Sequence, residues 1–281
     1  MRTLRTIKQI HAATRKLAAQ GKTIGLVPTM GFLHDGHLSL IRRAKKEADV
    51  VITTIFVNPA QFAPNEDFAK YPRDEKGDIK KIKSAGGDIV FIPDAKEIYP
   101  DDLQTYANVE KLTEKLEGKI RPGHFNGVTT IVAKLYNLTR PDVVVFGMKD
   151  FQQAVVLRQM TRDLGYPIKY IIAPTVRESD GLAMSSRNKY LTPDARKEAI
   201  CLYLALTRAR QLLKQDIRKT TVIADEMRVV IKKTCPTAEI DYIGFNDFAT
   251  LEEVSTISGE AVCSLAVRLH GVRLIDNTLL K

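Results

Sequence analysis

From residue 23 to about residue 175 the chain alternates short, almost wholly apolar runs with longer stretches in which apolar residues recur every three or four positions. The runs at 23–27, 50–57, 88–92, 142–146 and 168–172 predict strands buried on both faces, as in a parallel sheet. Between them, Leu38, Ile41, Ala44 and Ala48 trace one face of a helix, and further helices are predicted over 128–138 and 151–164. Strand and helix in regular alternation predict an α/β architecture, a Rossmann-like doubly wound parallel sheet. Beyond Arg177 the pattern changes. Thr192-Pro193-Asp194 is a helix start, with helices expected over 195–213 and 221–234. Short strands follow near 240–244, 261–269 and 272–275, with His270-Gly271 as a hairpin turn between the last two. This predicts a smaller α+β C-terminal domain, with 1–175 and 176–281 as the two domains and a hinge near Pro174.

Composition narrows the class. A chain of 281 residues is long enough for two domains. With 44% hydrophobic and 27% charged residues it has ordinary globular composition, and no apolar run approaches the roughly 20 residues that span a bilayer. No signal-peptide segment stands at the N-terminus, so no membrane association is expected. Three widely spaced cysteines, Cys201, Cys235 and Cys263, argue against a disulfide framework and for a reducing, cytoplasmic setting. The net charge of +10 favours anionic ligands, but much of it lies in the helical stretches 42–46, 76–83 and 208–219. With no tryptophan and no RNA-binding signature, a nucleic-acid partner is not expected.

The chemistry concentrates after the strands. Met30-Gly31-Phe32-Leu33 and His34-Asp35-Gly36-His37 sit where the strand at 23–27 gives way to a helix. Unpaired backbone N–H groups there and two glycines suit a phosphate. The Walker A spacing is missing, as is HExxH, and no local Cys/His cluster completes a metal shell. Asn58-Pro59-Ala60-Gln61-Phe62 follows the strand at 50–57. Gly147-Met148-Lys149-Asp150 with Gln153 follows that at 142–146, and the polar stretch 179–188 follows that at 168–172. Ligands of open α/β sheets bind along this edge, so these loops are expected to share one pocket. Within Met184-Ser185-Ser186-Arg187-Asn188, two hydroxyls and a guanidinium suit a nucleotide phosphate, with a turn or N-cap cluster as the structural alternative.

Taken in order with Tyr71-Pro72-Arg73 and Arg121-Pro122-Gly123-His124-Phe125, these motifs resemble the pantothenate synthetase family. The HxGH and MSSRN loops also resemble the wider nucleotidyltransferase superfamily that includes class I aminoacyl-tRNA synthetases. The resemblance implies a homodimeric, ATP-dependent ligase: pantoate and ATP give pantoyl adenylate and pyrophosphate, then β-alanine displaces AMP. It implies ATP contacts from Met30, Gly31, Phe32, Leu33, His34, Asp35, Gly36, His37, Gly147, Met148, Lys149, Asp150, Val176, Met184, Ser185, Ser186 and Arg187. His37 is the implied proton donor, with His34 and Lys149 also catalytic. Gln61 and Gln153 offer the amides that a hydroxy acid such as pantoate needs. Gln61 is also implied to reach β-alanine, with Asn58 nearby.

Magnesium is expected to bridge the phosphates, and Asp78 is the candidate protein ligand, although Gly77 and Lys81 leave few carboxylates in that segment. Met148 stands where the family commonly has an acid, which implies altered tuning rather than lost activity. The attack on the adenylate needs water excluded, so the smaller domain is expected to act as a lid. The competing expectations are a nucleotidyltransferase that leaves its nucleotide on a phosphorylated acceptor, and a basic, non-catalytic nucleotide- or RNA-binding protein.

Overall fold

The computed structural model describes residues 1–64 and 66–281. Its chain divides into two compact units, Met1–Gly147 with Gln153–Pro174, and Met148–Gln152 with Thr175–Lys281.

The first unit carries β1 (Arg2–Leu4), α1 (Ile7–Ala19), β2 (Ile24–Thr29), α2 (Asp35–Lys45), β3 (Val50–Ile55), α3 (Glu75–Ser84), β4 (Ile89–Phe91), α4 (Ala95–Ile98), α5 (Leu116–Ile120), α6 (His124–Thr139), β5 (Val143–Gly147), most of α7 (Phe151–Asp163) and β6 (Lys169–Ala173). The six strands form one parallel sheet in the order β1-β4-β3-β2-β5-β6. The doubly wound expectation is met, with one strand more than the apolar runs predict. β1 is an edge strand of three residues whose first two are exposed, so nothing in its pattern announces it. Both faces of the sheet are covered. Ile10 of α1, Val128 and Leu135 of α6 and Leu157 of α7 pack on one side; Leu38, Ile41 and Ala44 of α2 and Ile82 of α3 pack on the other. Because both faces are dry, the central strands read as continuous apolar runs. The order of strands reverses between β2 and β5, which makes the carboxyl ends of those two strands the topological switch point where such sheets bind ligands.

The second unit is built from α8 (Pro193–Glu198), α9 (Cys201–Lys214), α10 (Thr220–Thr234) and an antiparallel sheet of β7 (Glu239–Asp247), β8 (Ala261–Leu269) and β9 (Val272–Leu280) in that order. Its own core joins Leu202, Leu206 and Leu212 of α9 to Ile223 and Met227 of α10 and to Cys263, Leu265 and Val267 of β8. The helix expected over 195–213 is divided at Ala199 and Ile200. Both keep right-handed helical angles, and Leu202 N–H bonds to the Ala199 carbonyl, so the turn tightens while the apolar periodicity runs through it. His270 (φ 49°) and Gly271 (φ 79°) form the β8–β9 turn as expected, with both residues in the left-handed region that a two-residue hairpin requires. β9 continues past Ile275 through the buried polar pair Asp276-Asn277. No described helix is long and apolar enough to cross a membrane.

Candidate active site

In the first unit the segment after β2 is held from three sides. Thr29 Oγ1 donates to Thr54 O at 2.6 Å and accepts from Gly31 N–H at 3.2 Å. The chain then turns through Gly31 (φ 84°) and Phe32 (φ 50°). Position 31 has no room for a side chain: a Cβ would lie 2.9 Å from Ile55 Cγ2 and 3.1 Å from Asp78 Oδ2. Asp78, on α3, takes the N–H groups of Phe32 and Leu33 on its two oxygens, each at 2.7 Å. One turn further along, Lys81 Nζ donates to Leu33 O at 2.8 Å. Asp78 is only 1% exposed; burial pushes its carboxyl upward from the usual range, and the two amides pull the other way.

Asp78, the expected magnesium ligand, braces the loop in this structure. Both of its oxygens already serve the backbone. Asp74, the neighbouring carboxylate, accepts from Gly77 N–H as the N-cap of α3. These residues hold a loop backbone and a helix start. Their fit is to a loop that must keep a strained, glycine-dependent path.

The loop ends on the histidines. His34 is the N-cap of α2 in extended conformation, and His37 is in its first turn. Their ring centroids are 4.1 Å apart, tilted by 42°. His34 N–H donates to His37 Nδ1 at 3.4 Å. In that geometry Nδ1 is an acceptor, so the proton of a neutral His37 ring sits on Nε2. That tautomer offers a hydrogen bond through Nε2. Asp35 is exposed, and Gly36 and His37 are half-buried at the same helix end.

The turn after β3 is a second rigid feature. Asn58 caps a short 3-10 turn, Pro59–Gln61, and is 1% exposed. Its Nδ2 donates to Gln61 Oε1 (3.1 Å) and Gly127 O (3.1 Å), while its Oδ1 accepts from Tyr99 Oη (2.7 Å) and Ala60 N (3.3 Å). Two donors and two acceptors exhaust an asparagine side chain. Asn58 therefore buttresses Gln61; the expected contact with β-alanine would have to displace one of these bonds. Gln61 has its amide orientation set by the network: oxygen toward Asn58, nitrogen toward Met30 Sδ at 3.1 Å. Gly127 lets α6 come this close, because a Cβ there would sit 2.2 Å from Ala60 O.

The Gln61 carbonyl is held as well, by His124 Nδ1 at 2.8 Å and Arg121 Nη2 at 3.3 Å. A carbonyl only accepts, so His124 carries its proton on Nδ1 and offers Nε2 to Arg121 Nη1 at 3.1 Å. Burial, assisted by the Arg121 charge, depresses the His124 pKa to about 4, so the ring is neutral near pH 7. Arg121 forks onto both oxygens of Glu66 at 2.6 and 2.7 Å. Gly147 ends β5, and Gln153, half-buried, lies in the first turn of α7.

The second unit holds the other expected phosphate residues. Asn277 Nδ2 donates to the carbonyls of Met148 (2.9 Å) and Lys149 (2.8 Å), in the segment Met148–Gln152 that belongs to this unit. Met148 is thus gripped through its backbone, where side-chain identity matters least. Lys149 Nζ lies 3.1 Å from Asp150 Oδ1. Met184 N–H donates to Val176 O, Ser185 Oγ accepts from Arg187 N–H at 3.2 Å, and Ser186 is buried. Asn188 ties the segment to Glu178 Oε1 (2.9 Å) and Ala183 O (3.1 Å). Arg177 pairs through two nitrogens with Asp276, which is 2% exposed.

Sequence reasoning missed Tyr99, Asp276 and Asn277 as supports. The last two left a signal, an Asp-Asn pair between the apolar residues Ile275 and Leu279; Tyr99 left none.

The family model described as pantoate-beta-alanine ligase matches residues 2–279. Pantothenate synthetases of Heliobacterium modesticaldum and Moorella thermoacetica are 49% and 50% identical; the matches cover all of this chain and 100% and 98% of those proteins. A crystal structure of pantothenate synthetase from Thermus thermophilus superposes with a TM-score of 0.94 at 42% identity, covering 99% of each chain. The pantoate-beta-alanine ligase of Francisella tularensis, solved with beta-gamma ATP and beta-alanine, gives 0.78 at 36% identity, covering 99% of this chain and 97% of that one. Matched along essentially its whole length by family, sequence and fold, the chain belongs to the pantoate–β-alanine ligase family.

Proposed function

We propose that this ligase joins pantoate to β-alanine through a pantoyl adenylate, with ATP as the activating substrate and AMP and pyrophosphate released. The Francisella tularensis relative was solved with beta-gamma ATP and beta-alanine, which supports both ligands here. The observation that carries the reading is the clamped loop at 30–34, delivering two histidines to a helix N-terminus at the switch point of the sheet. In the first step a pantoate carboxylate oxygen attacks the α-phosphorus, the bond to the β-phosphate oxygen breaks, and pyrophosphate leaves. Charge grows on the phosphoryl oxygens, where donors already in position lower the barrier most. His37 is the hydrogen-bond donor through Nε2–H and, in its imidazolium form, the proton donor. His34, Lys149, Ser185, Ser186 and Arg187 are further donors to phosphate, and the backbone of 30–37 and 147–150, with Val176 and Met184, holds the nucleotide.

In the second step the neutral amine of β-alanine attacks the acyl carbon. The bond to the AMP oxygen breaks, AMP takes the electron pair, and the nitrogen gives up a proton. Gln61 and Gln153 present amides to pantoate, and Gln61 also serves β-alanine, with Asn58 fixing its orientation. Magnesium belongs to this reading as an ion carried by the phosphates, since Asp78 is committed to the loop. A homodimer is the family expectation, and a reducing, cytoplasmic setting accords with three free, buried cysteines.

The test is pyrophosphate–ATP exchange. Exchange that requires pantoate and proceeds without β-alanine supports an adenylate; exchange independent of pantoate, or none at all, defeats it.

A further inference from the structure

Three side chains of different donor chemistry meet in the second unit, in a part of it that the proposed reaction does not use. Glu198 ends α8, Cys235 caps the C-terminus of α10, and His270 occupies the β8–β9 turn. Cys235 Sγ donates to Glu198 Oε2 at 3.0 Å, and His270 Nε2 lies 2.7 Å from the same oxygen. The three donor atoms all lie within 4.8 Å of one another, and no other such group of histidine, cysteine and acidic side chains occurs among the described residues. Nothing in the local spacing foretells the cluster, because its members come from two helix ends and a hairpin. Cys235 is buried, whereas the His270 side chain is 40% exposed, so the group has a dry sulfur and an open side.

The donor set matches zinc. Zinc binds thiolate sulfur at ~2.3 Å, imidazole nitrogen at ~2.0–2.1 Å and carboxylate oxygen at ~2.0–2.2 Å, which puts tetrahedral ligand atoms about 3.3–3.6 Å apart. The two observed contacts are shorter because each encloses a hydrogen-bonding proton. Exchanging those protons for an ion requires the atoms to separate by less than about 1 Å. An exposed turn and the last residue of a six-residue helix are suited to that movement.

We propose that Glu198, Cys235 and His270 form a zinc site with a fourth position open to water. On binding, the Cys235 thiol loses its proton to solvent as the sulfur–metal bond forms. The imidazole ligates through Nε2 with its proton on Nδ1, and Glu198 supplies one oxygen. A thiolate and a carboxylate balance the charge of the ion, so its burial carries no net charge. The ion ties the ends of α8 and α10 to the β8–β9 turn. Burial and the adjacent Glu198 carboxylate both push the Cys235 thiol upward from its ordinary range, so metal and proton compete and affinity strengthens as pH rises.

Cobalt(II) chloride is the spectroscopic probe, added to the full chain in a thiol-free reductant. One equivalent should produce sulfur-to-cobalt charge-transfer absorption, and one equivalent of zinc chloride should abolish it. Cys235→Ser should remove the band, although Cys201 and Cys263 remain. Glu198→Gln and the exposed-turn variant His270→Ala should each weaken binding at least about 10-fold. Affinity should rise by about tenfold per pH unit while one thiol proton is released. No sulfur-to-cobalt band at stoichiometric metal, a band that survives Cys235→Ser, or affinity unchanged in His270→Ala would overturn the site.

Discussion

Replacing Asp78 by asparagine separates two roles for one carboxylate. The side chain now takes two backbone N–H groups at 2.7 Å, from Phe32 and Leu33, while 1% exposed. Hydrogen bonds to a charged group are worth about 1.5–3 kcal/mol each, and a buried donor left unsatisfied costs about 1–3 kcal/mol. Asparagine keeps one acceptor and turns an NH2 group toward the other backbone N–H. The loop should therefore lose about 2–4 kcal/mol of local stability. The direct readout is hydrogen exchange at the Phe32 and Leu33 amides. At about 1.4 kcal/mol per decade, exchange should accelerate by roughly 30- to 1000-fold, with amides of the sheet core far less affected. Pyrophosphate–ATP exchange should fall at least about tenfold, since displacement of a substrate-positioning loop by ~1 Å can cost about 10² in rate. Half-saturation by magnesium should stay where it is. A variant with wild-type amide protection whose activity returns when magnesium is raised would refute the clamp and restore Asp78 as a metal ligand.

Other consequences follow from the same geometry. His37→Ala should slow pantoate-dependent exchange by about 10²–10³ with the fold intact by circular dichroism, the usual cost of one preorganised donor; near wild-type rates would remove it from the chemistry. Tyr99→Phe deletes the 2.7 Å bond to Asn58 Oδ1 and loosens Gln61, so KM for pantoate should rise by roughly tenfold, equivalent to about 1.4 kcal/mol, while KM for ATP changes little. An equal rise in both would point to a general structural defect. His124, with a folded pKa of about 4 against about 6.5 unfolded, contributes stability that is complete above pH 6.5 and is lost as pH falls toward 4. On that basis denaturant unfolding should show a loss of about 2 kcal/mol between pH 7.5 and pH 5. His124→Gln should flatten that slope; an unchanged slope would mean that another group carries it.

What was legible in the sequence follows from which forces are local. β2, β3 and β5 are buried on both faces, so their composition alone declares them. β1 holds three residues at an edge and exists through pairing with β4, a long-range fact that no window of sequence contains. The expected strand at 272–275 stops short of the polar pair Asp276-Asn277. In the structure Arg177, 99 positions away, neutralises that carboxylate and the strand continues. The same division runs through the candidate site. His34, His37, Gln61 and Lys149 are recognisable because their side chains are unusual where they stand. Tyr99 and Asn277 hold those residues or their backbone through contacts 41 and 128 positions apart, and nothing near them says so. Asp78 shows what a carboxylate leaves open in the sequence: the same group suits a cation or two amides, and only the fold shows the Phe32 and Leu33 N–H groups turned toward it.

Pantoate labelled with oxygen-18 in its carboxylate tests the adenylate most directly. If a pantoate oxygen attacks the α-phosphorus and AMP departs with that oxygen, each turnover with β-alanine must leave one labelled oxygen in AMP and none in pyrophosphate. Mass spectrometry of the isolated nucleotide should therefore show AMP heavier by one oxygen-18. Unlabelled AMP, with the label in any other phosphate product, would contradict activation at the α-phosphate and the role given to the histidine loop.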